Sequence, residues 1–214
     1  MRFNRKSVIV TESNDSPAVS LADMKAYLRV DTSGDNDLIT GHTNAATEAI
    51  KQYLRSGLLT ETFEFRMDGF SDGGGDARLM AYGGGVHTAS VPHVLGGGDW
   101  FDLPFVPLQS VTSVVTYDRD NTGSTVDASK YEVDLQGGRV YLNEGETWPV
   151  NLRDKNAVLV TYVAGYGSGS IPSPIEEAIK MYVSQLYDGT CAGIDEAMRR
   201  MLTLYRRMDD LAYG

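Results

Sequence analysis

The chain has 214 residues, 42% of them apolar and 22% charged, enough for one sizeable core or two small domains of ordinary globular composition. A net charge of −10 and a pI of about 4.7 argue against a protein that grips nucleic acid through its phosphates, and apolar runs of only a few residues exclude a transmembrane helix. The single cysteine, Cys191, excludes an intramolecular disulfide and a multi-cysteine zinc site, and fits folding in a reducing cytoplasm.

The N-terminal MRFNRKSVIVTESND holds an apolar run too short for a signal-peptide core and reads as a small strand or ordered tail, ahead of a helical region that takes in residues 1–60. Ser20 followed by Asp23 is a capping-box pattern, and Val19 and Met24 stand where a hydrophobic staple sits. Leu21, Met24 and Leu28 then share one face of a short helix. Asp31 to Asn36 is a polar turn. A long helix from about Asp37 to Leu54 buries a stripe of Leu38, Ile39, His42, Ala45, Ala46, Ala49, Ile50, Tyr53 and Leu54, and Gly57 ends it. At 1.5 Å per residue it is a rod of roughly 27 Å.

From Thr62 the period changes. Phe63, Phe65 and Met67 alternate on one side of a half-exposed strand. Ser71 to Gly98 carries three glycine triplets and reads as a long loop or extended hairpin. Trp100 to Pro107 is an edge or turn segment. Ser110–Tyr117 is a β-branched strand, Asp118–Gly123 a hairpin turn, Tyr131–Leu135 a strand, Gly137-Gly138 a turn, and Arg139–Leu142 the returning strand. Trp148-Pro149 marks a bend, and Ala157–Val163 reads as a central strand covered on both faces. Ser173 as cap, Pro174 at the first helical position and Glu176 open a third helix with Ile175, Ala178, Ile179, Tyr182 and Leu186 inward, stopped by Gly189. The last helix starts near Ile194. Met198, Met201, Leu202, Tyr205, Met208 and Leu211 form its seam, flanked by Arg199, Arg200, Arg206 and Arg207.

Helices, then strands, then helices make an α+β protein: a small helical bundle formed by both ends of the chain (1–60 and 169–214), with an antiparallel β region (61–168) inserted between the second and third helices.

Chemistry is hard to find in this pattern. His42 lies on the packed face of the long helix, and His87 and His93 sit in a glycine-rich loop that suits no rigid ligand set, so neither a metal nor a cofactor is expected. Asp118, Asp120 and Thr122 resemble half a calcium loop, but Ser129 stands where its closing Glu belongs. The glycine triplets lack the Lys-Ser or Lys-Thr of a phosphate-binding loop. No catalytic set emerges, and no enzyme activity is expected. The two Arg-Arg pairs are either a solvated face paired with Asp195, Glu196, Asp209 and Asp210, or a surface that docks on an acidic partner.

Several pieces in order carry a resemblance: VSLADMKAYLRVD, DNDLITGHTNAATEAIKQYL, LLTETFEFRMDGF, FDLPFVPLQSVTSVVTYDRDN, YEVDLQGGRVYL, VLVTYVAGYG and IPSPIEEAIKMYVSQLYDG. Over roughly residues 18–190 the chain resembles the head–tail connector, or adaptor, proteins of long-tailed bacteriophages, in the subfamily with a β-rich insertion. Its departure is Ser71–Gly98, longer and richer in glycine than the family pattern. The resemblance implies a structural virion protein at the head–tail interface, assembled in the host cytoplasm. It implies a ring of about twelve copies that joins the portal protein to tail or head-completion proteins and lets DNA pass through its lumen without specific binding. It also implies that the C-terminal helical part reaches the portal, which nominates Arg199, Arg200, Leu204, Arg206 and Arg207 as a portal-docking face. Two other readings compete. A monomeric carbohydrate- or surface-binding protein predicts an aromatic cleft around Trp100 and Trp148, and a hydrolase predicts a pocket with shifted carboxylates or a histidine.

Overall fold

The computed structural model describes residues 6–13, 17–70, 100–167, 169–190 and 193–206. The glycine-rich stretch, His87, His93, Cys191 and Arg207 lie outside the described residues. Two compact units emerge, one of Met1–Glu12 with Thr62–Ala164 and one of Ser13–Glu61 with Gly165–Gly214.

In the helical unit, α1 (Leu21–Leu28) begins as its local sequence requires. The Ser20 hydroxyl accepts the Asp23 amide at 3.1 Å and donates to the Asp23 carboxylate at 2.6 Å, while Val19 and Met24 are both buried. The long helix α2 (Asn36–Leu54) starts after Asp35. Asp37 falls inside its first turn, where a carboxylate complements the helix dipole but caps nothing. Asp35 does not cap either, because its carboxylate accepts the Tyr187 hydroxyl at 2.9 Å.

The buried face of α2 is Ile39, Thr43, Ala46, Thr47, Ile50, Lys51 and Leu54. Compared with the sequence expectation it is turned, leaving Ala45 exposed, Leu38 half in solvent, and His42 and Ala49 half-buried. The threonines can face inward because their hydroxyls donate to carbonyls one turn back, Thr43 to Ile39 at 2.8 Å and Thr47 to Thr43 at 2.7 Å. The helix ends with Arg55 in the left-handed conformation at φ 52°, so the reversal falls two residues before Gly57. Helix α3 (Ser173–Tyr187) starts one residue earlier than expected, with Ser173 already helical and the Pro172 carbonyl accepting the Ile175 and Glu176 amides. It buries Ile175, Ala178, Ile179 and Val183. Helix α4 (Glu196–Leu202) is shorter than its periodicity promised and runs into a 3-10 turn at Thr203–Tyr205. Met24, Ile39, Ile50, Leu54, Ile175, Ile179, Met198 and Leu202 belong to one apolar core, which joins both ends of the chain.

The helices are tied at their flanks as well. The Tyr27 phenol is pushed above its usual pKa by burial and then by the Glu177 carboxylate beside it, so the protonated hydroxyl serves as donor.

The β unit holds a five-stranded sheet in the order β1-β2-β8-β4-β5 and a three-stranded sheet in the order β3-β7-β6. Its strands are β1 (Lys6–Glu12), β2 (Glu61–Met67), β3 (Trp100–Asp102), β4 (Leu108–Tyr117), β5 (Gly123–Thr125), β6 (Tyr131–Asp134), β7 (Arg139–Leu142) and β8 (Val158–Ala164). The N-terminal strand therefore does not belong with the helices: β1 pairs antiparallel with β2, Val8 opposite Phe65 and Val10 opposite Phe63. On β2, Phe63, Phe65 and Met67 point inward as their alternation demands. The apolar run of β8 is central in its sheet but fully covered on one face only. Val158, Val160, Tyr162 and Ala164 are buried, whereas Leu159, Thr161 and Val163 are half-buried. An apolar run does not by itself tell one covered face from two.

The residues of both sheets meet in a second core built on aromatic rings. Phe63 stacks on Phe105 at 4.9 Å and on Tyr162 at 5.4 Å, and Phe70 stacks on Trp148 at 4.3 Å. The Tyr162 hydroxyl donates to the Pro104 carbonyl at 2.5 Å.

Candidate functional site

A catalytic centre needs convergent reactive groups, and the described residues converge on packing instead. No group of His, Cys, Asp and Glu among them could hold a metal ion. Asp118 spends one carboxylate oxygen on the amides of Asp120 and Thr122, at 2.9 and 2.8 Å, which builds the turn that resembled a calcium loop. Asp127 does the same for Ser129, and that hydrogen bond holds its carboxyl below the usual range. The tryptophans expected to line a sugar cleft in the competing reading are engaged. Trp148 is buried among Phe70, Phe101 and Tyr131, and the Arg139 guanidinium lies 4.6 Å over the Trp100 ring. Hydrogen bonds to Tyr141 and Asp102 raise the Arg139 pKa further, so this cover stays charged.

What remains is surface. Around α4 the polar groups are sorted by the helix itself. The Asp195 carboxylate accepts the Met198 amide at 2.9 Å and the Gln185 side-chain amide at 2.7 Å, which caps α4 and fixes it to α3. Asp195 is thereby a cap, not the ion-pair partner that charge spacing suggested. Met198 and Leu202 turn into the core and Met201 is half-buried, so this methionine seam packs inward.

Four of the nominated residues are described. Arg199 is exposed and donates to the Ile194 carbonyl at 3.1 Å. Arg200 pairs with Glu196 at 3.1 Å, but their side chains are 78% and 68% exposed, so the pair adds little stability. Leu204 is 92% exposed on the 3-10 turn. Arg206 lies 5.0 Å over the Tyr53 ring, which orients its guanidinium against α2. Arg199, Arg200 and Leu204 thus occupy two successive turns of one short helical segment, two cations beside an uncovered apolar side chain. Arg206 is partly committed to α2.

Sequence reasoning missed two further surface features. The edge strand β1 leaves Ile9 53% and Val10 43% exposed, and Val150 stands 93% exposed on the loop after Trp148. The VIV run was a visible strand signal, whereas a lone valine in a loop carried none.

Residues 18–140 match the family model described as phage gp6-like head-tail connector protein. Three solved structures are similar in fold. The neck of an empty GTA particle, computed with C6 symmetry, aligns with a TM-score of 0.66 and 17% identity over 92% of this chain and 95% of that one. The virion of a native gene transfer agent (GTA) particle gives 0.68 and 15%, over 93% and 94%. The neck of a native GTA particle, computed with C12 symmetry, gives 0.63 and 17%, over 92% and 94%. Comparison with curated protein sequences yields no match.

Proposed function

Because the chain belongs to the phage gp6-like head-tail connector family, and is thus a structural protein of a virion's head–tail junction, we propose that it works there as one subunit of a closed ring that joins the portal to the tail. The observation that carries this reading is the family match over residues 18–140, which spans elements of both the helical and the β unit. Similar chains come from necks computed with C6 and C12 symmetry, and a ring of about twelve copies follows by analogy. A net charge of −10 suits a lumen wall past which DNA moves, because like charge keeps phosphates from sticking.

Within that ring, Arg199, Arg200, Leu204 and Arg206, with Arg207 next in sequence, form the portal-docking face. Two exposed arginines beside a bare leucine fit a partner surface with an apolar pocket and an acidic rim. The four-fold reversal Arg199→Glu, Arg200→Glu, Arg206→Glu and Arg207→Glu is expected to abolish co-purification with the portal. The circular dichroism spectrum should stay as it is, and stability should fall by less than about 1 kcal/mol through loss of the Arg206–Tyr53 contact. Undiminished portal binding would remove this face from the account.

A further inference from the structure

The five-stranded sheet has two unlike edges among the described residues, one of seven residues and one of three. Strand β1 is seven residues long, contains no proline, and presents the β-branched Val8-Ile9-Val10 in its middle with a lysine only at its start. Its one irregularity is the bulge between Val10 and Glu12. Such an edge invites pairing with another strand. At the far edge, β5 pairs only with β4 among the described residues. Beside it lies an open groove of about 450 Å³ whose lining includes Ser124, Thr125, Val126, Lys130, Pro149 and Val150. An added strand needs an open sheet edge with apolar side chains beside it.

We propose that β1 of one copy adds to β5 of the next, so that Val10, on the same face of β1 as the core-packed Val8, meets the Val126–Val150 groove and the ring closes through its sheets. The proposal rests on the ring reading above and specifies its contact. Joining two different edges is a head-to-tail contact, which propagates and closes into a ring when the rotation per copy divides a full turn; pairing β1 with β1 would stop at two copies. Charge is mixed at both edges: β1 runs from Lys6 to Glu12, and Asp118, Asp120 and Asp127 near β5 are matched by Arg119, Arg153 and the groove-lining Lys130.

The test uses the full chain carrying Cys191→Ser, with Ser7→Cys, Ile9→Cys or Val10→Cys in turn combined with Ser124→Cys, oxidised by dissolved oxygen with a copper catalyst. The expected result is a ladder of covalently linked chains extending past the dimer on a denaturing gel, seen only when both cysteines are present. The oxidation is run on the chain alone and with the portal protein; rings of the right mass with no ladder for any pair would overturn the strand addition and leave the ring standing, and absence of both rings and ladder in both conditions would overturn both. Dimers from Ile9→Cys alone, or a Ser124→Cys link to another virion protein, would give these edges a different occupant and overturn the proposal. A second variant needs no cross-link: Val10→Lys should shift assembly to at least tenfold higher protein concentration with the melting of the monomer unchanged. Unchanged assembly would count against the proposal.

Discussion

Replacing Lys51 with methionine is expected to destabilise the protein by about 3–5 kcal/mol, the usual consequence of stranding one member of a buried ion pair. Lys51 and Glu61 are both almost wholly buried, on α2 and at the start of β2. The ammonium group sits 2.7 Å from one Glu61 oxygen and 2.5 Å from the other, while Glu48, 3.5 Å away, is mostly exposed and contributes little. Removing the cation leaves a buried carboxylate without its counter-charge. Glu61→Gln should be similarly harmful, because it leaves a buried ammonium group with a neutral partner. The double variant Lys51→Met/Glu61→Gln should recover most of the loss, since no charge is then stranded. Urea midpoints of the four proteins check this. Equal destabilisation by the double and single variants would mean that the pair is not coupled.

A second large effect is expected at Gly165, where the chain leaves β8. Its φ is +121°, and an added Cβ would lie 1.8 Å from the Leu59 carbonyl oxygen and 2.5 Å from its carbon. The obstacle is backbone next to the start of β2, so no side chain can swing aside. Gly165→Ala should therefore lower stability by at least about 3 kcal/mol, combining a forbidden backbone conformation with a steric collision. Gly169 supplies the control. It also has a positive φ, +73°, but nothing lies within 4 Å of its added Cβ. Gly169→Ala should cost about 1 kcal/mol, the conformational term alone. Equal losses at the two glycines would show that the close approach to Leu59 carries no weight.

The contrast between these sites explains what could be read from the chain in advance. Ser20 with Asp23, and the alternating Phe63, Phe65 and Met67, act within a few residues, so their patterns announce themselves. The α+β layout and the inserted position of the strands followed from the change of hydrophobic period. Lys51 and Glu61 are polar residues on packed faces, and no local pattern says that each satisfies the other. Thr43 and Thr47 look polar until their hydroxyls turn back on the helix, which is why the buried face of α2 was placed too far toward Ala45 and Ala49. Strand β1 was visible as a strand, but its partner lies more than fifty residues on, beyond two helices. Arg55 takes the left-handed position expected of Gly57, with its amide donating to the Lys51 carbonyl.

The proposed docking surface was legible in part. The Arg-Arg pairs flagged α4 and the resemblance nominated Leu204, whose exposure the structure supplies, but Asp195 proved to be a cap and Arg206 leans on Tyr53. Connector function is written in order and assembly more than in any reactive group. That is why a family resemblance spread over many short pieces was more informative than any single residue.

The most direct test of the account is the native mass of the purified chain, alone and mixed with the portal protein of the same particle. The account predicts one discrete closed species of about twelve copies of the 23.4 kDa chain, present at least when the portal is there to receive it. A chain that stays monomeric in both conditions would contradict it.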